Sequence, residues 1–211
     1  MKCLVAGASG LVGNELMKLL LAEEKVEQVI SIGRRPTAFT HEKLIEKKVS
    51  WEKLPTGKSM EADTAFCCLG TTLDKAGSKE AFSIVDKDYV IEFAKLAKNS
   101  GVKNFLVVSA MGANSKSLFF YNKVKGQMEK ALREVNFSSI YIIRPSLLLG
   151  TRQESRPTEE WAQRLYPVYH AVMVGPLAAY KPIPAGQVAL SMLKFGLKPK
   201  PGLHIIKNNL I

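Results

Sequence analysis

The chain lacks the features that mark several large functional classes. Nowhere in its 211 residues is there an apolar run of the ~18 residues that a membrane-spanning helix needs. The opening apolar residues are not followed by a charged region, a longer apolar region and a cleavage site in order, so they read as a core strand, not a signal peptide. Cysteine is scarce. Cys3, Cys67 and Cys68 make an odd count with two of them adjacent, which argues against a disulfide framework. They read as small buried apolar residues in a reducing environment, and a cytoplasmic location is the expectation. His41, His170 and His204 are dispersed, and no metal-ligand spacing appears, so no metal is expected. There is no Gly-x-Ser-x-Gly elbow of a serine hydrolase, and no Walker lysine, because Asn14-Glu15 follows Gly13. Internal repeats and low-complexity tracts are absent as well.

Charge of one sign is in short supply. Thirty basic residues outweigh nineteen acidic ones, for a net charge of +11. A surplus of this size can serve nucleic acid. Here the lysines are scattered and not gathered into an aromatic-interleaved block, so they read as solvated surface with a general attraction for phosphorylated ligands. Nucleic acid is not the expected partner, and neither is a membrane. The length fits a single domain over 1–211, and a hydrophobic content of 46% is ordinary for a soluble globular protein.

Short apolar runs alternate with helix-period segments. The runs are Lys2–Ala6, Gln28–Ile32, a weak one near Lys48–Trp51, Thr64–Leu69, Asn104–Ser109 and Ser139–Ile143. The spacing predicts helices over Leu11–Glu23, Lys79–Asn99 and Phe120–Val135, then a late helix near Gly186–Phe195 and a last strand near Leu203–Lys207. Continuously apolar runs are expected of parallel strands covered on both faces. The expected fold is therefore α/β: a doubly wound, mostly parallel Rossmann sheet with helices on both faces. Residues 145–185, rich in proline and aromatics, are expected to form a small substrate-side cap.

The strongest local signal is at the N-terminus. Cys3-Leu4-Val5-Ala6 runs directly into Gly7-Ala8-Ser9-Gly10-Leu11-Val12-Gly13, and Leu16, Leu19 and Leu20 follow at helical spacing. Strand, glycine turn and helix make a dinucleotide-phosphate cradle. Its glycines let backbone N–H groups approach a pyrophosphate, and the helix adds free donors and the positive end of its dipole. Gly7, Ser9, Gly10, Leu11, Val12 and Gly13 are the expected contacts. The second strand ends at Gly33-Arg34-Arg35, where an NAD site usually places a carboxylate for the ribose 2′-hydroxyl. Arg34 and Arg35 suit a 2′-phosphate instead, so NADP(H) is expected in preference to NAD(H); the plainer alternative is a basic loop. Leu69-Gly70-Thr71-Thr72 closes the fourth strand, at the strand end where ligands bind in such sheets.

Ser109 ends the fifth strand, and Tyr121 and Lys125 follow at i and i+4 of a predicted helix, so the last two share a face. A tyrosine near pKa 10 is a poor base at neutral pH. A neighbouring ammonium lowers that value and lets the phenol exchange a proton with an alcohol or carbonyl oxygen while hydride moves. Ser109 is placed to orient the same oxygen. Tyr-x-x-x-Lys alone more often marks a solvated helix face; Ser109 at a strand end makes the set specific.

These residues resemble the short-chain dehydrogenase/reductase superfamily, in its atypical, extended branch. The runs Cys68–Thr72, Lys75–Ser78, Val85–Val90, Phe119–Gly126, Arg144-Pro145 and Arg152–Pro157 are similar to its Tat-interacting, metastasis-suppressor-like members. The resemblance implies a Rossmann domain binding NADPH, with Ser109, Tyr121 and Lys125 at the catalytic positions and Arg144 and Pro145 among the cofactor-facing residues. It implies a small carbonyl or alcohol substrate and admits a homodimer. The alternative function is a non-catalytic NADP(H)-binding regulator that senses redox state.

Overall fold

The computed structural model describes residues 1–55, 60–150 and 181–211. Seven strands form one sheet in the order β3-β2-β1-β4-β5-β6-β9, all pairs parallel. They are β1 (Lys2–Ala6), β2 (Gln28–Gly33), β3 (Leu44–Lys48), β4 (Thr64–Cys67), β5 (Asn104–Val108), β6 (Ser139–Arg144) and β9 (Gly202–Lys207). Two short strands, β7 (Leu148–Leu149) and β8 (Ile183–Pro184), pair with each other. The order turns back at β1, so the chain ends of β1 and β4 flank the crevice where ligands bind in open α/β sheets. The expected doubly wound Rossmann sheet is what the chain forms.

Side chains that alternate along the central strands feed two cores. On one face Cys3, Val5, Phe66 and Leu106 pack under α1 (Leu11–Ala22) and the late helix α6 (Ala185–Leu197). On the other, Leu4, Ala65, Phe105 and Ile142 pack under α4 (Tyr89–Asn99) and α5 (Phe120–Glu134). Burial on both faces is why the central strands lack polar alternation.

Several elements differ from the sequence reading. The third strand lies at Leu44–Lys48, not at Lys48–Trp51. As an edge strand it is largely exposed and tolerates Glu46, Lys47 and Lys48, whereas Val49 and Trp51 are buried in the core beyond it. The helix expected over Lys79–Asn99 is broken: α3 (Lys79–Ser83), preceded by a separate short α2 (Leu73–Ala76), leads into a π-helical turn (Ile84–Asp88) before α4 begins. In that turn the Tyr89 amide reaches the Ile84 carbonyl, one residue beyond α spacing. Such insertions cluster at functional sites. The strand expected over Thr64–Leu69 ends at Cys67, and the one expected to run through Ser109 ends at Val108. Most of the cap expected over 145–185, with Arg152–Pro157 inside it, lies outside the described residues.

Candidate functional site

The glycine loop crosses the chain ends of β1 and β4. Gly7 has φ +82°, and a Cβ there would sit 2.5 Å from the Cys68 carbonyl carbon. A Cβ on Gly13 would lie 2.1 Å from the Gly7 carbonyl oxygen. Both positions therefore require glycine. The Gly10 amide closes the turn on Gly7 O at 3.0 Å, and no side chain caps α1 at Gly10. The first amides of α1 have no partner within the helix and face the crevice with the positive end of its dipole. Gly7, Gly10, Leu11, Val12 and Gly13 lie in this close-packed turn, which could hold a dinucleotide pyrophosphate, with Ser9 exposed beside it.

Arg34 and Arg35 follow β2 and are both exposed. Arg34 lies toward Glu52 and Tyr89. The Glu52 carboxyl is held below the usual carboxylate range by the Ser50 hydroxyl first, then by its own amide, the Tyr89 hydroxyl and the Arg34 charge. Arg35 lines a cavity of about 260 Å³ with Gly33, Glu46, Lys47 and Lys48. Parallel pairing sets Lys48 opposite Gly33, so the edge strand brings further cations to the end of β2.

Tyr121 and Lys125 occupy one face of α5. The apolar set Val124, Met128 and Leu132 is buried and seats the helix on the sheet. Gly126 lets the loop at Asn114 and Ser115 lie against it; a Cβ there would come within 2.1 Å of that backbone. Lys125 is buried. Its Nζ lies 2.7 Å from Asp86 Oδ1 in the π-helical turn, with side-chain exposures of 4% and 1%. The second oxygen, Asp86 Oδ2, accepts the Thr71 amide at 2.8 Å. One carboxylate thus joins the turn after β4 to the lysine on α5. Burial acts to lower the Lys125 pKa, but Asp86 and then Tyr121 outweigh it, so the ammonium is held above its ordinary value.

The Tyr121 ring packs on Phe82 at 5.5 Å and remains 39% exposed. Its pKa does not fall, as the sequence reading expects from a neighbouring ammonium. Burial raises it, Lys125 pulls it down and Asp86 pushes it up again, and the net direction is upward.

Ser109 is turned to a different carboxylate. Its buried Oγ donates to Glu129 Oε1 at 2.6 Å. Arg144 grips the same carboxylate with two bonds, Nε to Oε1 at 2.9 Å and Nη2 to Oε2 at 2.5 Å. The Pro145 carbonyl accepts the Met111 amide at 2.9 Å. Glu129 lies one helical turn beyond Lys125, so Tyr121, Lys125 and Glu129 run down one face of α5. Tyr121 and Lys125 are brought together on that face. The hydrogen bonds of Ser109 run to Glu129, and those of Lys125 to Asp86. Thr71 joins the site through its amide, Thr72 caps α2 by accepting the Lys75 amide, Leu69 packs on the core, and Gly70 lies close beneath Asp86.

Two carboxylates, Asp86 and Glu129, have no role in the sequence reading. A signal exists for each: Asp86 sits among Phe82, Tyr89 and Val90 in an apolar helical pattern, and Glu129 shares the face of Lys125. Charges at core positions need partners. All three cysteines are free; burial pushes the Cys3 and Cys67 thiols up to about 12, so they stay protonated and inert.

Residues 7–161 match the family described as NAD(P)H-binding. Protein HTATIP2 of Rattus norvegicus is 36% identical over 213 residues, covering 98% of this chain and 86% of that protein. Protein FMP52-1, mitochondrial, of Scheffersomyces stipitis is 37% identical over 160 residues, covering 74% and 71% of the two chains. Among solved structures, MoeE5 in complex with UDP-glucose and NAD superposes with a TM-score of 0.74 at 15% identity, covering 97% of this chain and 75% of that one; at that identity it shows the fold. The cytoplasmic expectation is overturned, because fungal relatives are named mitochondrial. A few unpaired cysteines do not distinguish one reducing compartment from another. No described helix is long and apolar enough to cross a membrane. With the cradle, the sheet order and a match over most of its length in agreement, the chain belongs to the NAD(P)H-binding family.

Proposed function

We propose that this protein is an NADP(H)-dependent oxidoreductase of the short-chain dehydrogenase/reductase type, acting on a small carbonyl or alcohol. The observation that carries the reading is the buried, charged Lys125 one turn along α5 from Tyr121, on the helix that follows β5. When bound, the cofactor supplies the hydride. Tyr121 gives its proton to the carbonyl oxygen as carbon receives the hydride, and its phenolate is reprotonated from solvent. Lys125 stabilises that phenolate. Ser109, with its proton committed to Glu129, ties the end of β5 to α5.

The test is NADPH oxidation with a panel of aldehydes, ketones and quinones. Tyr121→Phe keeps the ring and deletes the acid, and its kcat is expected to fall about 10²–10⁴-fold. Turnover untouched by the change removes Tyr121 from the mechanism. The pairing of Lys125 with Asp86 and of Ser109 with Glu129 favours a second reading, a non-catalytic NADP(H)-binding regulator. No turnover on any compound with tight NADPH binding would support it.

Arg34 and Arg35 carry the preference for NADP(H). Replacing either with Ala is expected to weaken NADPH about 10-fold or more, the scale of a charge-assisted hydrogen bond, and to leave NADH nearly unchanged. Dissociation constants measured by fluorescence titration decide it. Equal affinity for NADH and NADPH in the unaltered protein overturns the preference.

A further inference from the structure

We propose that Asp86 tunes this site: paired with Lys125, it offsets the positive charge beside the Tyr121 phenol. The inference rests on the reading of Tyr121 and Lys125 given above. Asp86 is a positioning residue, acting on Tyr121 through Lys125. Its two oxygens are both committed, one to Lys125 Nζ at 2.7 Å and one to the Thr71 amide at 2.8 Å. It cannot swing away without breaking both bonds. The charge of Lys125 is therefore fixed against the turn after β4.

Among the described residues, the ionisable groups that face the pair are few. Tyr121 lies on α5 with Lys125, Asp86 comes from the π-helical turn, and Cys67 from β4 sits within electrostatic reach. Cys67 is neutral, pushed up to about 12 by burial. Among the described residues, burial raises the phenol most, Lys125 lowers it and Asp86 raises it again. A phenol that keeps its proton serves a reduction, where carbonyl, hydride and a donated proton make the alcohol.

Asp86→Asn keeps the shape and leaves an amide oxygen for the Thr71 amide, but removes the charge. Ultraviolet titration, read as the difference between each protein and the same protein carrying Tyr121→Phe, follows the Tyr121 phenol alone. The expected result is a midpoint at lower pH in Asp86→Asn than in the unaltered protein. An unchanged or higher midpoint overturns the proposal. Asp86→Glu retains the charge, and its midpoint is expected to stay near the original; a shift as large as that of Asp86→Asn also overturns it. The titration uses neither substrate nor cofactor. A lowered midpoint together with a Tyr121→Phe protein that turns over normally would therefore sink the catalytic reading and leave the role of Asp86 standing.

Discussion

Lys125→Met is expected to cost the fold about 3–5 kcal/mol, and adding Asp86→Asn to the same chain to restore most of it. Breaking a buried ion pair leaves the surviving charge without a partner and without water, and that penalty is of this order. Both side chains are almost fully enclosed, at 4% and 1% exposure, so solvent cannot take over the role of the missing group. Asp86 would keep one bond, from the Thr71 amide, which is too little for a buried carboxylate. Removing both charges leaves neutral groups of similar volume, a change that is often close to neutral. Urea unfolding of the two single variants and the double variant gives the coupling directly. Single-variant costs that simply add would show that the pair is not a unit. The pH dependence has a definite sign. The folded-state pKa of Lys125 is raised, so its contribution is complete below the ordinary lysine value of about 10.4. It is lost as pH climbs through the folded value. In the double variant that alkaline loss should be missing.

Gly13→Ala is expected to lower the affinity for NAD(P)H by tenfold or more while leaving a folded protein. The added Cβ would stand 2.1 Å from the Gly7 carbonyl oxygen and 3.0 Å from the Ala8 Cα. Both are backbone atoms and cannot turn aside. Relief requires α1 to lift away from the loop, and overpacking of this kind costs about 1–3 kcal/mol. The same lift moves the first amides of α1 away from the pyrophosphate they are placed to hold, and a loss of about 1.4 kcal/mol is already a tenfold weaker complex. Circular dichroism and cofactor titration separate the two effects. Unaltered affinity would mean that the cradle is not where the cofactor binds.

Periodicity and glycine placement were sufficient for the frame. The central strands are legible because burial on both faces demands unbroken apolar runs, and α1 and α5 because burial on one face demands apolar spacing near 3.6. The cradle is legible because Gly7 and Gly13 stand where no side chain fits. The edge strand β3 is not, since a strand with one free edge can be built from Glu46, Lys47 and Lys48 and leaves no hydrophobic signature. The π-helical turn is equally hidden: it adds one residue to a pattern that otherwise reads as a single helix.

Tyr121 and Lys125 are related by four residues on one helix, so local geometry alone sets them on a common face. Their partners are not local. Asp86 reaches Lys125 from 39 positions away along the chain (125 minus 86), and Ser109 and Arg144 meet at Glu129 only because β5, β6 and α5 pack together. Sequence spacing supplied the tyrosine and its ammonium neighbour. Tertiary packing decided which charges reach the phenol, because electrostatic interaction depends on distance and burial in the folded chain and not on separation along it.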